Sequence, residues 1–539
     1  MTQDYIQTDF LIIGSGIAGL RAALELSKNN QKVALVTKSY LHDSNTYYAQ
    51  GGIAAVDPER IKKGEDSFDL HYEDTMKAGK GLCNSEVVKN FTEKAHETID
   101  FLIEKGVDFS KTEGKYPYVL HQEGGHSRER IYCVGDYTGK SIEEALVEAV
   151  KNDPNIDIYE FHSAIDLIKE NNTCQGAYIL DRNNKTVKTF DSAKTFIATG
   201  GAGRVFRYTS NPDNATGDGI AMAHRAGIKI ENMEFYQFHP TVLYEDSADL
   251  ELQDNDNNQI GRRFLITEAL RGEKMGGILT LKKDSIDDFV LNYSPDGSHS
   301  TRDLVARAID TEIKKKGLKH VWLNVTPKVT GKSAEYIRES FPQIYEFCLS
   351  KGTDITKDPI PVVPAAHYSC GGISVNMNGE TSMDNLYAIG EASCTGLMGA
   401  NRLASNSLSE GAMYGKLAVE HALLTYKNEE RKPLEKWNYG TVKREHDTAT
   451  MNQFWDLTRT TMTNLCGIDR NEERLRLAVG ITEALSKSAH DIYWDCHPTN
   501  EIIELRNLTQ VANLIATAAL KREESRGCHY RSDFPDMKV

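Results

Sequence analysis

The sequence predicts an α/β protein, and three observations carry that prediction. Three short apolar runs, far apart in the chain, each lead into glycine: Phe10–Gly19, Thr195–Gly203 and Asn385–Glu391. Such runs suit buried strands of a parallel sheet, each feeding a loop at its carboxyl end, where open α/β sheets bind ligands. If all three share one sheet, the sequence between about 240 and 350 is inserted into it, and its texture does change there. Glu251–Arg263 is polar and Asn-rich and reads as loop, while helices are expected over Arg302–Lys316 and Ser333–Ser350. After about residue 432 the glycine loops stop, and Asn471–His490 and Asn500–Glu524 carry Leu, Ile and Ala at helical spacing. The architecture that follows is Rossmann-like. A nucleotide-binding α/β domain is built from residues 1–240 and 352–430, an α+β capping domain occupies 241–351, and a helical domain occupies 431–539.

Bulk properties narrow the function. With 539 residues, 40% hydrophobic and 26% charged, the chain has the length for two or three domains and the composition of a folded protein. Its formal charge of -15, with no long basic run, disfavours nucleic acid and anionic lipid as partners. An anionic substrate would also be repelled at long range, so any site for one must carry its own arginines. The first residues, MTQDYIQTDFLIIGSG, have no basic n-region or small-residue cleavage site, so no signal peptide is expected. No apolar stretch nears the roughly 20 residues that span a bilayer. The nine cysteines show neither a Cys-x-x-Cys pair nor metal-ligand spacing, which suits free thiols in a reducing cytoplasm and no bound metal.

Gly14-Ser15-Gly16-Ile17-Ala18-Gly19 is a G-x-G-x-x-G at a strand-to-helix junction. The first glycine permits the tight turn, the second lets the backbone approach a pyrophosphate, and the third lets helix and strand pack closely. The helix N-terminus then faces the anion. An NAD site ordinarily has Asp or Glu after the second strand, but Val33-Ala-Leu-Val-Thr-Lys38 ends in lysine, which reads equally as a solvated side chain. The late strand ending Ile-Gly-Glu391 suits FAD better: its carboxylate is placed to accept ribityl hydroxyls, with helix capping as the alternative. In Ser44-Asn45-Thr46-Tyr47-Tyr48-Ala49-Gln50-Gly51-Gly52-Ile53, small polar residues precede two glycines whose amides can come close to a flat ring.

That run resembles the succinate dehydrogenase and fumarate reductase flavoprotein family, and the resemblance extends along nearly the whole chain. Ala198–Gly203 and Thr216-Gly-Asp218-Gly219 resemble the family's middle FAD segments. Glu231–Thr241, Glu268–Gly272, Thr301–Asp303 and His367–Gly372 resemble its substrate-side segments, and Gly399–Leu408, with Ser407 and Leu408 beside FAD, closes the set.

The resemblance implies roles that chemistry makes sensible. A C4 dicarboxylate needs cations at both ends, and arginine forks hold carboxylates bidentately. Arg402, His367 and His239 are implied to bind carboxylates, and Arg302 to move a proton at the substrate carbon beside the flavin. Glu268 and Arg271 resemble the family's proton-relay pair, with an ordinary ion pair as the alternative. Where the membrane-complex members have a histidine that carries FAD covalently, this chain has Asn45, so FAD is expected without a covalent bond. Glu123, in His121-Gln-Glu-Gly-Gly-His-Ser-Arg128, resembles the aspartate-oxidising branch, where a carboxylate would stabilise the C2 ammonium. Glu504–Asn507 and Glu524–His529 resemble that branch's helical domain.

The implied reaction is transfer of hydride from C2 of L-aspartate to the flavin, giving iminoaspartate, with O2 (forming H2O2) or fumarate as acceptor. The implied setting is cytoplasmic quinolinate synthesis towards NAD, with a functional link to quinolinate synthase. The alternatives are a soluble fumarate reductase or succinate-oxidising flavoprotein, and the flavoprotein subunit of a membrane complex.

Overall fold

A computed structural model describes residues 4–111, 117–135, 137–245, 264–272, 274–440, 442, 445 and 447–538. The loop expected over Glu251–Arg263 lies outside the described residues. The central sheet gathers β1 (Tyr5–Ile13), β2 (Val33–Val36), β3 (Ile156–Tyr159), β4 (His162–Glu170), β5 (Thr173–Asp181) and β6 (Thr186–Ile197) in the order β3-β2-β1-β6-β5-β4. β1 runs parallel to both β2 and β6, pairing Ile13 with Val36 and with Ile197. Helix α1 (Ile17–Lys28) follows β1 and is buried from Ile17 to Ser27. Small Ala and Gly let it sit directly on the sheet, and helix α2 (Asp218–Ala226) packs from further along the chain.

The chain then leaves this sheet. β7 (Tyr236–Leu243), β8 (Ile278–Thr280), β9 (Val321–Asn324) and β10 (Ile360–Ser369) form an antiparallel sheet in the order β7-β10-β9-β8. It has an apolar core of its own, including Leu270, Leu279, Ile309, Val321 and Ile360, closed by helix α3 (Arg302–Lys316). The helix predicted over Ser333–Ser350 is two helices, Ala334–Ser340 and Pro342–Ser350. Pro342 offers no N–H and pushes Phe341 out of helical geometry, to φ -138 and ψ 59.

β11 (Leu386–Ala388) returns to the central sheet and pairs parallel with the last residues of β6, Ala388 beside Ile197. All three glycine-ended runs therefore share one sheet, and their carboxyl ends fall on one edge. Helix α4 (Asn406–Thr425) packs on α1. Helices α5 (Thr448–Leu465), α6 (Glu472–Asp495) and α7 (Asn500–Lys521) follow, and α7 packs against α2. Asn471 caps α6, its side chain accepting from the Arg474 N–H. Among the described residues no helix is long and apolar enough to cross a membrane.

Candidate active site

One cavity of about 1330 Å3 runs from the carboxyl edge of the central sheet to the space beneath the antiparallel sheet. Gly14, Ser15, Gly16, Ile17 and Ala18 line one end, with Lys38, Asn45, Thr46, Tyr48, Ala49, Gln50, Gly51, Gly52, Asp218, Glu391, Ser407 and Leu408. Gly14 has φ +115, and a Cβ there would lie 2.2 Å from the Ala198 carbonyl oxygen. The turn that delivers the chain into α1 therefore tolerates only glycine. At Gly16 the nearest protein atom to a Cβ would be Thr46 Oγ1 at 3.4 Å, so the backbone faces open cavity. Gly19 lies behind that surface, where its Cβ would meet the Gly14 carbonyl at 2.1 Å. Tyr47 also stays off the cavity wall, its ring packing on Tyr48 and His42.

Lys38 is not a solvated lysine. It is mostly covered, hydrogen-bonded to Thr216 and ion-paired at 2.7 Å to both Asp218 and Glu504, so α7 reaches into this end of the site. Burial works to lower its pKa, but Asp218 and Glu504 together hold it above the ordinary lysine value. Glu391 does not cap its short helical turn; it accepts from Asn45 Nδ2 at 2.9 Å and from the Ser369 N–H at 3.0 Å. Burial raises its pKa to about 7 against those donors. Asn45 Oδ1 is buried with no hydrogen-bond partner among the described residues, an orphan acceptor in the wall of the cavity. The glycine turn at a helix N-terminus, this orphan and the size of the cavity fit a dinucleotide such as FAD.

The other end brings together side chains from six separate segments: Glu123, His239, Glu268 and Arg271, Arg302, His367 and Arg402 all line it. Glu268 sits at the centre. It is 2.5 Å from Arg302 Nε, 3.5 Å from Arg271 Nη2 and 3.5 Å from His239 Nε2. Arg271 is buried and donates to the carbonyls of Ser298 and Ser300. Arg302 begins α3, immediately after its cap residue Thr301. Arg402 donates through Nε and Nη2 to Gln237 Oε1 and through Nη1 to Ser407, and its guanidinium lies 4.8 Å from the Tyr368 ring centre. Three of its five N–H groups are then used, leaving one on each terminal nitrogen for a carboxylate.

Both histidines are neutral. Burial, then the charges of Arg302 and Arg271, hold His239 well below the usual imidazole value. Burial, then Arg402, does the same to His367, which is tied to Ser210 at 2.8 Å. They offer hydrogen bonds, whereas the cationic charge comes from Arg271, Arg302 and Arg402 against the carboxylates of Glu268 and Glu123. A local excess of positive charge thus exists inside a chain of net charge -15.

Three contributors escaped the sequence reading. Gln237 holds Arg402, and its position two residues before His239 on one strand was the signal that could have found it. Ser405 donates to Glu123 at 2.6 Å. Glu410, buried under Tyr368, accepts from Thr395 and Tyr368, and burial raises its pKa to about 7. Nothing local in the sequence marks the last two.

Comparison with known proteins places these segments in context. Residues 9–408 match the family described as FAD binding domain, and residues 456–538 match the fumarate reductase flavoprotein C-terminal family. The L-aspartate oxidase of Acinetobacter baylyi is 44% identical, covering 98% of this chain and 94% of its own. The chloroplastic L-aspartate oxidase of Arabidopsis thaliana is 42% identical, covering 98% and 81%. A solved E. coli quinol fumarate reductase superposes with a TM-score of 0.84 at 28% identity, covering 99% of this chain and 93% of that one.

Proposed function

Since this chain belongs to the L-aspartate oxidases, a branch of the FAD-binding flavoproteins, we propose that it oxidises L-aspartate at C2 to iminoaspartate. One observation carries the reading: arginines and a loop carboxylate face the same cavity as the glycine-lined nucleotide end. FAD, when bound, supplies the two-electron acceptor; the chain supplies position, charge and proton handling. Gly14–Gly16, Lys38, the 45–52 segment, Glu391 and Leu408 would hold it. Asn45 has no nucleophilic ring nitrogen, so the cofactor is bound without a covalent bond. Acid precipitation of the holoenzyme is expected to leave yellow FAD in the supernatant; flavin retained on the polypeptide would refute this.

On the substrate side, Arg402 takes one carboxylate in its two free N–H groups, with His239 and His367 as neutral donors beside it. Glu123 faces the ammonium. Because C2–H leaves as hydride, the proton lost in forming iminoaspartate comes from the substrate nitrogen that Glu123 faces. Arg302, paired to Glu268, would deliver the proton to carbon when fumarate is reduced, with Glu268 and Arg271 leading to it. Reoxidation by O2 or fumarate, cytoplasmic location and supply of iminoaspartate to quinolinate synthesis complete the reading. The test is which acid bleaches the flavin absorbance without oxygen. L-Aspartate is expected to bleach it faster than succinate or L-glutamate. Faster bleaching by succinate would make the protein a soluble succinate or fumarate enzyme instead.

A further inference from the structure

The strained residue in this site is a serine. Ser405 has φ 60 and ψ 2, the left-handed region that a residue with a side chain seldom occupies. It stands at the N-cap of α4, yet its hydroxyl makes no cap hydrogen bond to the helix. A serine in this place ordinarily turns its oxygen inward to accept from the first turn. Here the left-handed backbone carries the side chain elsewhere, and the hydroxyl donates to Glu123 Oε2 at 2.6 Å. The other carboxylate oxygen stays beside Gly51, where an added Cβ would come within 2.9 Å of Glu123 Oε1 and 3.6 Å of Ser405 Oγ.

Both sides of this contact are anchored. The Ser405 carbonyl accepts from the Ala54 N–H at 3.0 Å, and the preceding Ala404 carbonyl is held by His126 Nε2 at 2.8 Å. Because Arg130 Nη1 donates to His126 Nδ1, the proton of that ring must lie on Nε2 and point at Ala404. Arg130 is in turn fully buried and paired with Asp66 and Asp74, and Asp74 accepts from the backbone and hydroxyl of Ser127. The loop that carries Glu123 and the turn that carries Ser405 therefore share one buried foundation. Glu123 itself is followed by Gly124 and Gly125, whose backbone freedom would otherwise leave a long side chain unfixed.

We propose that Ser405 is a positioning residue for substrate choice: its left-handed backbone aims a hydroxyl that locks the Glu123 carboxylate towards the substrate ammonium. The strain is retained because the surrounding hydrogen bonds over-determine it. This inference rests on the reading of Glu123 given above, and the experiment separates the two.

Four variants of the FAD-bound full chain are compared: Ser405→Gly, Ser405→Ala, Glu123→Gln and the Ser405→Gly/Glu123→Gln double. The readout is kcat/KM for aspartate oxidation divided by kcat/KM for fumarate reduction, since fumarate carries no ammonium. Each single variant is expected to lower that ratio about tenfold or more, and the double variant to be no lower than Glu123→Gln alone. Ser405→Gly relieves the backbone strain while removing the hydroxyl, so it tests the idea even if Ser405→Ala folds poorly. Ser405→Asn, which tolerates this backbone and keeps a donor, should restore the ratio threefold or more over Ser405→Gly. An unchanged ratio in Ser405→Gly beside a lowered one in Glu123→Gln overturns the role of Ser405 alone. An unchanged ratio in Glu123→Gln overturns the Glu123 reading and this inference with it. Equal loss of both activities in Ser405→Gly makes the residue a helix-end support and nothing more.

Discussion

The two ends of the cavity are built on opposite principles. The nucleotide end is largely backbone: glycines at the edge of a parallel sheet and a helix N-terminus, with Lys38, Asp218 and Glu391 as its charged contributors. The substrate end is side chain: arginines, histidines and carboxylates drawn from Glu123 to Arg402, crowded until they shift one another's pKa. Backbone sites tolerate change except where a Cβ has no room. Charge clusters tolerate room but not the loss of a partner. The most damaging substitutions at the two ends should therefore fail in different ways, one losing the cofactor and the other losing turnover with the cofactor in place.

The largest effect is expected at Arg302. Its Nε lies 2.5 Å from Glu268, and it adds to the charge that holds His239 and His367 neutral. Arg302→Leu should lower kcat for fumarate reduction by several orders of magnitude, more than about 4 kcal/mol of transition-state stabilisation, while FAD stays bound. Stopped-flow reoxidation of the reduced flavin by fumarate measures this directly. Near-normal turnover would remove Arg302 from the chemistry and erase the contrast between the two ends.

At the nucleotide end two glycines sharpen the contrast. Gly14→Ala drives a Cβ to 2.2 Å from the Ala198 carbonyl at φ +115, which should cost on the order of 3 kcal/mol of stability as well as FAD. Gly16→Ala meets no protein atom nearer than 3.4 Å, so the apoprotein should melt like the wild type and yet fail to retain FAD. Thermal melts with and without added FAD distinguish them. If Gly16→Ala binds FAD normally, the ligand does not approach that backbone.

The same contrast decides what the sequence could reveal. Glycine-ended runs announce themselves because a backbone that needs positive φ or close approach allows no other residue, so the sheet edge and the 14–19 turn were legible. The helix Arg302–Lys316 was legible from its spacing. The break at Phe341-Pro342 is marked by the proline but masked by apolar spacing that continues across it. The substrate-side residues were named through family likeness, because no local rule links Glu123 to Arg402. Lys38 meeting Glu504, Gln237 meeting Arg402 and Ser405 meeting Glu123 depend on folding that joins distant segments.

Glu410 lies beneath the substrate end and probes the price of burying charge there. Its carboxyl is raised to about 7, from the ordinary value of 4.5, because burial outweighs the bonds from Thr395 and Tyr368. The native state then holds this proton more tightly than the unfolded chain does. Its stabilising contribution is present below about pH 4.5 and is lost as pH rises through 7, amounting to about 3 kcal/mol. Relative to wild type, Glu410→Gln should therefore gain stability between pH 5 and pH 8, read from denaturant midpoints of the FAD-free proteins. A pH-independent difference would mean that Glu410 is ionised throughout.

The smallest effect, and the finest test of the comparison, is at Arg402. It is buried at 6% exposure, and its place is fixed by Gln237, Ser407 and the face of Tyr368. Those contacts exist before substrate arrives, so the guanidinium is a preformed half of a carboxylate clamp. It should hold ground state and transition state alike, because the carboxylate it grips does not change in the reaction. Arg402→Leu should then raise KM for L-aspartate about tenfold to a hundredfold, the value of one charge-assisted contact at about 1.5–3 kcal/mol, with a much smaller change in kcat. Arg402→Lys keeps the charge but has no fork to meet both Gln237 and a carboxylate, so it should recover only part of the loss. Titrating fumarate against the oxidised flavin spectrum of each holoenzyme gives binding without turnover and should follow the same order. A fall in kcat as large as the rise in KM would move Arg402 into the chemistry beside Arg302. Loss of FAD would instead show that its bond to Ser407 serves the nucleotide end, and that the two ends are less separate than their construction implies.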